Sequence, residues 1–376
     1  MSKKNIRKKS PKKGKLKNKI ISKSSNSYTA KDIEVLEGLE PVRKRPGMYI
    51  GSTNQDGLHH LVNEILDNSI DEVLAGHATK ISFHYKKNGS ITIKDDGRGI
   101  PVDFHPKYKN KRALEVVLTT LHAGGKFSSN AYKTSGGLHG VGISVVNALS
   151  SFLRVSVYKE GKVFRQEYSQ GKVKSKVKIE KCNKKIKGTE ITFLPDETIF
   201  DVTIYDAKRL YEFINMKSVL VGGTTITFEI DKELIGDKTI NKRDFYYKNG
   251  IEDYFKLEYS NKNKLFDKDF SLKNKLNQNE NFEIYISFNQ SESSRLQSYC
   301  NTIETPDGGS HEIGLKNGII KAIKLYGQKN QISKINNVNH NDLIDFSNII
   351  ISIFINEPSF EGQTKKRIIM PSLQKE

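Results

Sequence analysis

Cysteine is scarce in this sequence, which has only Cys182 and Cys300 among its 376 residues. The two stand too far apart for the spacing of a zinc site, and they do not make a disulfide framework, so we expect a reducing, cytoplasmic setting. No apolar run approaches the roughly 18 residues that a membrane-spanning helix needs, so no such helix is expected. The lysine-rich start lacks the apolar segment of a secretory signal. The length allows two domains, each able to bury a core.

Acidic residues are missing from the first 27 positions, which carry 11 of the lysines and arginines. This composition predicts a disordered basic tail over residues 1–27. The tail either adds affinity for DNA by counterion release or simply keeps the chain soluble, and the sequence does not decide between the two. The formal net charge is +19, so about +8 belongs to residues 28–376, and this favours a polyanionic partner.

A P-loop is also missing, although residues 136–142 contain four glycines in seven positions. The segment lacks the Gly-Lys-Ser/Thr ending of a P-loop, and it lacks the spacing and the preceding strand of a dinucleotide-binding turn. Its glycines nevertheless let backbone N–H groups approach a ligand, and the helix expected through Ala148 points its positive end at the same place. We therefore predict a phosphate-binding segment, and the glycine-flanked stretch 124–142 suggests a lid that orders on nucleotide binding.

A helix is predicted over residues 58–75, because apolar residues recur there at spacings of three and four. Its opposite side carries a polar stripe of His60, Glu64, Asp67, Asn68 and Asp71. Such a stripe is most often a solvated face. Here it mixes a carboxylate and a carboxamide one turn apart, with no Lys or Arg to pair them, which favours a functional face.

A hairpin and a tight turn follow that helix. Strands are predicted over 79–85 and 90–94, joined by Asn88-Gly89. The return strand leads into Asp95-Asp96-Gly97-Arg98-Gly99-Ile100-Pro101. The pattern Asp-Gly-x-Gly is weak alone, but it is a strong signal about 30 residues after a polar-striped helix.

The remaining pattern predicts an α+β sandwich followed by a second α/β domain. Helices are expected over 32–39, where Pro41 would follow the end, and over 113–122, 207–218 and 312–326. Strands are expected over 153–158, 163–168, 191–194, 225–230, 282–288, 299–303 and 349–355. The stretch from about 232 to 280 is rich in Lys, Asn and Asp, and it predicts loops at a domain boundary.

Together these motifs resemble one family. Glu64-x-x-x-Asn68, Asp95-x-Gly97-x-Gly99, the glycine segment 136–142 and Gly188-Thr189 resemble the GHKL ATPase superfamily. Within it, the run from Arg45 to Gly51 and Gln363-Thr364-Lys365 resemble the ATPase subunits of bacterial type IIA DNA topoisomerases. The resemblance covers residues 28–376. The runs 299–315 and 360–365 look more like the B subunit of topoisomerase IV than like the B subunit of gyrase.

The resemblance implies a GHKL (Bergerat) ATPase sandwich with an N-terminal dimerisation arm over residues 28–235. An α/β transducer domain with a ribosomal-protein-like fold would follow over 236–376. Family members continue into a metal-binding TOPRIM domain and a C-terminal region that docks the DNA-cleaving subunit. This sequence has no Glu-Gly-Asp-Ser run, so we expect ATPase activity only from this chain.

The resemblance also implies ATP and Mg²⁺ as cofactors and assigns the central roles. Glu64 would be the general base that activates water, oriented by His60. Asn68 would hold Mg²⁺ through its side-chain oxygen. Asp95 would accept a hydrogen bond from the adenine amino group, supported through water by Thr189. Lys365, with Gln363 beside it, would reach the γ-phosphate.

Other residues would complete the pocket. The lid residues that contact nucleotide would be Lys126, Tyr132, Gly136, Gly137, Leu138, His139, Gly140, Val141 and Gly142. The supporting residues would be Asp71, an ion pair of Glu72 with Arg98 at the mouth, Gly99, Ile100, and Pro101 as part of an apolar wall. Tyr28 and Ile33 would belong to an arm that crosses to the site of a second protomer.

The implied partners are DNA, a second copy of the chain that forms a homodimer through the arm, and the DNA-cleaving subunit in a heterotetramer. The implied setting is the cytoplasmic nucleoid, with no membrane. Two alternatives stay open: the B subunit of gyrase, and a truncated remnant that binds nucleotide without turnover. Another GHKL protein, such as a mismatch-repair clamp, chaperone or histidine kinase, is disfavoured by Gln363-Thr364-Lys365 and by the arm at Tyr28.

Overall fold

The computed structural model describes residues 30–127, 134–137, 140–236, 240–259, 264–277, 280–290 and 294–374. The chain divides into two compact units, Met1–Leu36 and Glu37–Glu376. In the described part of the first unit, Ala30–Asp32 forms one turn of 3-10 helix.

The second unit alternates helices and strands. The α-helices of the described residues are α1 (Glu40–Lys44), α2 (Gly47–Ile50), α3 (Gln55–Leu74), α4 (Ala113–Thr119), α5 (Gly142–Ala148), α6 (Ala207–Leu220), α7 (Ile251–Tyr259), α8 (Ser310–Lys329) and α9 (His340–Ile344). The strands of the described residues are β1 (Lys80–Tyr85), β2 (Ile91–Asp95), β3 (Phe104–His105), β4 (Tyr108–Arg112), β5 (Ser150–Lys159), β6 (Lys162–Ser169), β7 (Lys172–Val173), β8 (Lys178–Lys181), β9 (Gly188–Pro195), β10 (Thr225–Ile230), β11 (Lys242–Phe245), β12 (Phe270–Lys275), β13 (Asn281–Phe288), β14 (Arg295–Cys300), β15 (Ile303–Glu304) and β16 (Ser347–Phe354). Single turns of 3-10 helix lie at Gly125–Phe127, Lys232–Leu234, Ser333–Asn337 and Pro371–Gln374.

The first sheet has the strand order β11-β10-β1-β2-β9-β5-β6-β7, with β8 also paired to β6. Its neighbours run antiparallel except β1 and β10, which run parallel. The apolar side of α3 packs onto this sheet through fully buried residues such as Leu61, Ile65 and Leu66. The sheet core therefore fixes α3 with its polar stripe facing away from the apolar layer.

The second sheet has the order β12-β13-β16-β14-β15, and only β14 and β16 in it run parallel. One face packs against α8 and the final 3-10 turn. The other face shares a cluster with α6 and α7, in which Leu220, Phe255 and Tyr285 are buried. Because α6 belongs to the layer on the first sheet, this cluster joins the two sheets through apolar packing. The mixed α+β class is confirmed.

Three local predictions are wrong. Residues 33–39 are not an α-helix, and Pro41 lies inside α1 instead of ending a helix. Proline in a first helical turn is favoured because its missing N–H would have no partner there. The strand over 299–303 is broken by a turn at Asn301 and Thr302. The stretch 232–280 is not only loop, because it contains β11, α7 and β12.

The strand β11 pairs with β10 and so extends the first sheet to Phe245. That position lies past the predicted boundary between residues 235 and 236, and the division into two domains stays a prediction. Among the described helices, none combines the length and the apolar character that crossing a membrane would require.

Candidate functional site

The polar stripe of α3 forms one wall of the candidate site. The helix starts at Gln55, three residues before the predicted position, because the side chain of Asn54 accepts a hydrogen bond from Asp56 N (2.9 Å) and caps it. Glu64 lies on the stripe with its side chain 12% exposed. His60 Nε2 lies 3.1 Å from Glu64 Oε1, an ion-pair distance, although the two groups are not aligned as a hydrogen bond.

The carboxyl group of Glu64 stays ionised although its side chain is mostly buried. Burial alone would raise its pKa, but the charge of Lys365, followed by His60 and Lys126, outweighs burial and lowers the pKa of Glu64 to about 2. Lys365 comes from the far end of the chain, and the structure brings it to the stripe. Lys365 is 5% exposed. Its backbone has φ 57°, a left-handed conformation that costs energy for a residue other than glycine.

Gly142, the first residue of α5, lies against the same carboxylate. A Cβ atom added at Gly142 would stand 1.9 Å from Glu64 Oε2. Only glycine leaves room for the carboxylate at this point. The end of the glycine segment and Glu64 therefore share one small space.

Asn68 and Asp71 face a cation. Lys126 Nζ donates to Asn68 Oδ1 (2.7 Å) and also to Asp71 Oδ2. Asp71 is 1% exposed. The Asn68 oxygen thus already faces a positive charge, and an amide oxygen completed by phosphate oxygens and water suits Mg²⁺. An amide oxygen thus fits the predicted metal in kind, but Mg²⁺ would have to take the place of the Lys126 ammonium on it.

Asp71 does more than support the pocket, because it binds the glycine segment directly. Its Oδ1 accepts from Gly136 N (3.0 Å), and its Oδ2 accepts from Ser135 Oγ (3.1 Å). On the other side, Lys365 Nζ donates to Gly136 O (3.0 Å). Residues 135–136 are therefore fixed between α3 and the segment that carries Lys365.

Asp95, at the end of β2, forms the floor of the site. Its Oδ1 accepts from Gly97 N (2.9 Å) and Thr189 N (3.3 Å), and its Oδ2 accepts from Ser69 Oγ (3.2 Å). Burial raises the pKa of Asp95 to about 6 in spite of these donors. Thr189 thus meets Asp95 through its backbone, while its hydroxyl accepts from Ile100 N (3.2 Å).

The mouth of the site contains the expected ion pair. Arg98 Nη2 lies 2.8 Å from Glu72 Oε1, and Arg98 N also donates to Glu72 Oε2 (2.9 Å). Gly99 has φ 77° and turns the chain beside Val157. Pro101 is exposed, so its predicted contribution to an apolar wall has no support from packing in this structure.

The other predicted residues are distributed as follows. Gly137 lies beside Lys126 and Asp71, Gly140 has φ 61°, Val141 is 5% exposed, and Gln363 is half-buried two residues before Lys365. Ile33, in the first unit, is 58% exposed. Tyr28, Tyr132, Leu138 and His139 lie outside the described residues, so their roles stay predictions.

Two residues at this site were missed by the sequence analysis. Asn301 Nδ2 donates to Ser135 O (3.0 Å), and Lys217 Nζ donates to Asp67 Oδ1 (2.5 Å) and Thr302 O (2.8 Å). Lys217 lies on a helix, where a lone lysine indicates a surface position. The turn at Asn301 has no glycine that would have indicated it.

Chemically, the arrangement contains the groups that binding and hydrolysis of a nucleoside triphosphate would need. It combines an ionised carboxylate beside a lysine, an amide oxygen suited to a hard cation, a glycine segment with backbone donors, and a deep carboxylate that can accept from a base amino group. Among the described residues, no three His, Cys, Asp or Glu side chains form a metal cluster.

Comparisons with known proteins find relatives for both halves of the chain. The family described as "Histidine kinase-, DNA gyrase B-, and HSP90-like ATPase" matches residues 53–199, and the family described as "DNA gyrase B" matches residues 250–375. The B subunit of DNA topoisomerase 4 from Rickettsia felis is 46% identical over 362 residues, 96% of this chain and 54% of that protein. The B subunit of DNA gyrase from Thermotoga maritima is 43% identical over 348 residues, 91% of this chain and 54% of that protein.

The chain therefore spans about half the length of the curated relatives it matches. Among solved structures, the topoisomerase IV ATP binding domain of Francisella tularensis in complex with a small molecule inhibitor is similar, with a TM-score of 0.71 and 35% identity. That match covers 91% of this chain and 88% of the other. The predicted GHKL ATPase fold is thereby confirmed. The chain belongs to the family of the ATPase subunits of bacterial type IIA DNA topoisomerases, which includes the B subunits of topoisomerase IV and of gyrase.

Proposed function

We propose that this chain is the ATP-hydrolysing clamp of a type IIA DNA topoisomerase and converts ATP and water to ADP and phosphate. The observation that carries the proposal is the meeting of Glu64 and Lys365 at one site. Charge from Lys365 is the strongest influence that keeps Glu64 ionised, and Lys365 also binds Gly136 O. The carboxylate base lies on α3, which packs on the first sheet, and the cation lies in the segment that follows β16 of the second sheet. Such a pair suits hydrolysis coupled to movement between the two layers.

In this proposal Glu64 accepts a proton from the attacking water, and His60 limits the orientation of its carboxylate. Lys365 engages the γ-phosphate, where a positive charge is worth most as negative charge develops. The amides of the glycine segment bind phosphate oxygens. Asn68 would hold Mg²⁺, which neutralises phosphate charge. Asp95 accepts from the adenine amino group and so excludes guanine, which has a carbonyl at that position.

For the whole protein, we propose ATP-dependent homodimerisation through the N-terminal arm. DNA would be the substrate, and a DNA-cleaving subunit the partner in a heterotetramer at the cytoplasmic nucleoid. The exposed Ile33 and Val35 support an arm that needs an apolar partner. The identity to the Rickettsia relative favours decatenation and relaxation of the topoisomerase IV type over supercoiling by gyrase. A nucleotide-binding remnant without turnover is the alternative.

The first test measures ATP hydrolysis by the full chain against protein concentration, with and without Mg²⁺ and DNA. We expect slow turnover that requires Mg²⁺ and rises more steeply than linearly with concentration, because each site needs a second protomer. A variant that lacks residues 1–36 should lose this steepness. Binding of ATP without turnover at any concentration would favour the remnant, and absence of nucleotide binding would refute the proposal.

A second prediction concerns Gly142→Ala. The added methyl group would overlap the Glu64 carboxylate, which can move aside only by leaving its place beside Lys365 and His60, so the free energy of unfolding should fall by about 1 to 3 kcal/mol. Hydrolysis should fall about a hundredfold, since displacing a catalytic group by an ångström has that effect. Denaturant titration and a phosphate-release assay measure the two quantities.

The matched control is Gly318→Ala in α8. Its added methyl group would meet nothing within 4 Å, and it replaces a glycine in a helix interior. We expect a gain of about 1 kcal/mol in stability and unchanged hydrolysis. Equal hydrolysis by Gly142→Ala and wild type would show that the carboxylate position is not critical.

A further inference from the structure

The turn that joins β14 to β15 is unusual in its conformation and in its burial. Cys300 pairs with Ile303, so Asn301 and Thr302 alone form the loop of this hairpin. Both have positive φ, 48° and 65°. Asparagine tolerates this conformation, but a β-branched threonine does so only at a cost. Hairpin tips are normally exposed, whereas these residues are 0% and 2% exposed. Their surroundings must hold the turn in place.

Asn301 uses its whole carboxamide on backbone partners. Nδ2 donates to Ile355 O (2.9 Å) and Oδ1 accepts from Ile355 N (2.9 Å), a pair of bonds that also fixes the orientation of the amide. Nδ2 then donates to Ser135 O (3.0 Å) in the glycine segment. Ile355 follows β16 directly and begins the segment that leads to Lys365. One side chain thus joins the glycine segment to the segment that ends at Lys365.

The rest of the turn reinforces this link. Gly136 packs on it so closely that an added Cβ would lie 3.2 Å from Ile303 Cδ1 and 3.3 Å from Asn301 O. Thr302 O accepts from Lys217, whose ammonium is shared with Asp67 of α3. The turn therefore contacts the glycine segment on one side and is tied to the stripe helix on the other.

We infer that Asn301 is a positioning residue that holds the glycine segment and Lys365 in register around the γ-phosphate. This rests on the proposed function for the chemistry, but the contacts themselves do not depend on it. Ser135–Gly136 is bound by Asp71 from the first layer and by Asn301 and Lys365 from the second. Without the Asn301 bond, Ser135 and Gly136 would stay bound to Asp71, while Lys365 could move away from them. Affinity for the γ-phosphate should therefore fall more than affinity for the nucleoside.

The variant that removes the contacts of this side chain is Asn301→Gly, which deletes its bonds to Ser135 and to Ile355 together. Glycine adopts φ near 48° without strain, so the turn is retained while the carboxamide is removed. We expect the ratio of ATP to ADP affinity, measured by calorimetry, to fall about tenfold, because the bond to Ser135 that links the glycine segment to the second sheet is worth about 1.4 kcal/mol, which corresponds to this factor. Where turnover is measurable, kcat should fall with it. Exchange of the Gly136 and Gly137 amides, followed by mass spectrometry, should become faster.

The control is Asn339→Ala, which removes the cap of α9, an asparagine that also bonds only to backbone but lies outside the site. It should lower the unfolding temperature and leave the ATP to ADP ratio unchanged. A ratio for Asn301→Gly within twofold of wild type would overturn the inference. If wild type bound no nucleotide, the proposed function would fail instead.

A measurement on the unaltered chain covers the case in which Asn301→Gly does not fold. We expect a non-hydrolysable ATP analogue to slow exchange of the amides of Asn301 and Ile355 severalfold more than ADP does. These amides lie in the second sheet and its turn, outside the nucleoside pocket. Equal protection by ATP analogue and ADP would contradict a role in sensing the γ-phosphate.

Discussion

Replacing Glu64 by glutamine should lower ATP hydrolysis by at least about a hundredfold while ATP still binds, because the amide cannot accept a proton from water. The pKa of Glu64 is lowered to about 2 in this structure. The carboxylate is therefore ionised at every pH at which the protein is assayed. Hydrolysis should therefore show no titration of this group between about pH 5 and pH 9. A phosphate-release assay across that range provides the measurement.

The same substitution should also affect stability, with a defined sign. A carboxylate whose pKa is lowered on folding stabilises the protein above its unfolded pKa, and this contribution is lost as pH falls toward the folded pKa. Glu64→Gln should therefore unfold at a lower temperature than wild type at about pH 7, and the difference should shrink below about pH 4. Glu115→Gln, a partly buried glutamate on α4, controls for loss of a carboxylate. Wild-type turnover by Glu64→Gln would eliminate it as the base.

Asp95→Asn should make the protein more stable and yet nearly unable to bind ATP. Burial raises the pKa of Asp95 to about 6, so between about pH 4 and pH 6 the folded state holds a proton that the unfolded state has released. Stability accordingly falls as pH rises through that window, and at about pH 7 the buried charge costs about 3 kcal/mol. Asparagine keeps the hydrogen bonds, since Oδ1 can accept from Gly97 and Thr189 while its NH₂ donates to Ser69.

Binding changes in the other direction. The asparagine NH₂ would present a donor where the adenine amino group needs an acceptor, and a buried mismatch of this kind lowers affinity by about a hundredfold or more. For wild type, ATP affinity should fall below about pH 6 as Asp95 takes up its proton. Calorimetric binding and thermal unfolding at about pH 4.5 and about pH 7.5, on either side of that titration, measure both effects.

Asp96→Asn is the matched control with opposite signs. Burial opposes ionisation of Asp96, but the backbone N–H groups of Lys80 and Thr79 outweigh it and lower its pKa. Removing this charge should therefore destabilise the protein at about pH 7 and leave ATP affinity unchanged. If Asp95→Asn bound ATP as wild type does, the adenine assignment would be wrong. If it were less stable than wild type at neutral pH, burial would not be the dominant effect on Asp95.

Local patterns predicted the helix and the turn that carry the first half of the candidate site. The stripe of α3 and the turn after β2 depend on helical spacing and on a short hairpin, which are properties of neighbouring residues. The Glu72–Arg98 pair, which the resemblance implied, joins the same two elements. Family resemblance added Lys365, which no local pattern connects with Glu64.

Other parts depend on tertiary contacts and were not predictable in this way. Asn301 and Thr302 are held in a left-handed turn by Ser135, Ile355 and Lys217, so the local sequence gives no sign of it. The helix α7 buries Ile251, Phe255 and Tyr259 at spacings of four, but the Lys- and Asn-rich composition around it indicated a loop. Asp71 was expected only to support the pocket. Its bond to Ser135 could not be predicted from a local pattern, because the two residues lie 64 positions apart in the chain.

The bond from Lys365 to Gly136 joins residues that are 229 positions apart in the chain. Contacts of such separation form late in folding, since the loop they close is entropically costly and both sheets must exist first. During synthesis, the stripe and the glycine segment leave the ribosome long before Lys365 does. Under the proposed function, a growing chain would therefore carry the nucleotide-binding surfaces before the hydrolytic site is complete, and ATP hydrolysis would begin only after the second sheet has folded.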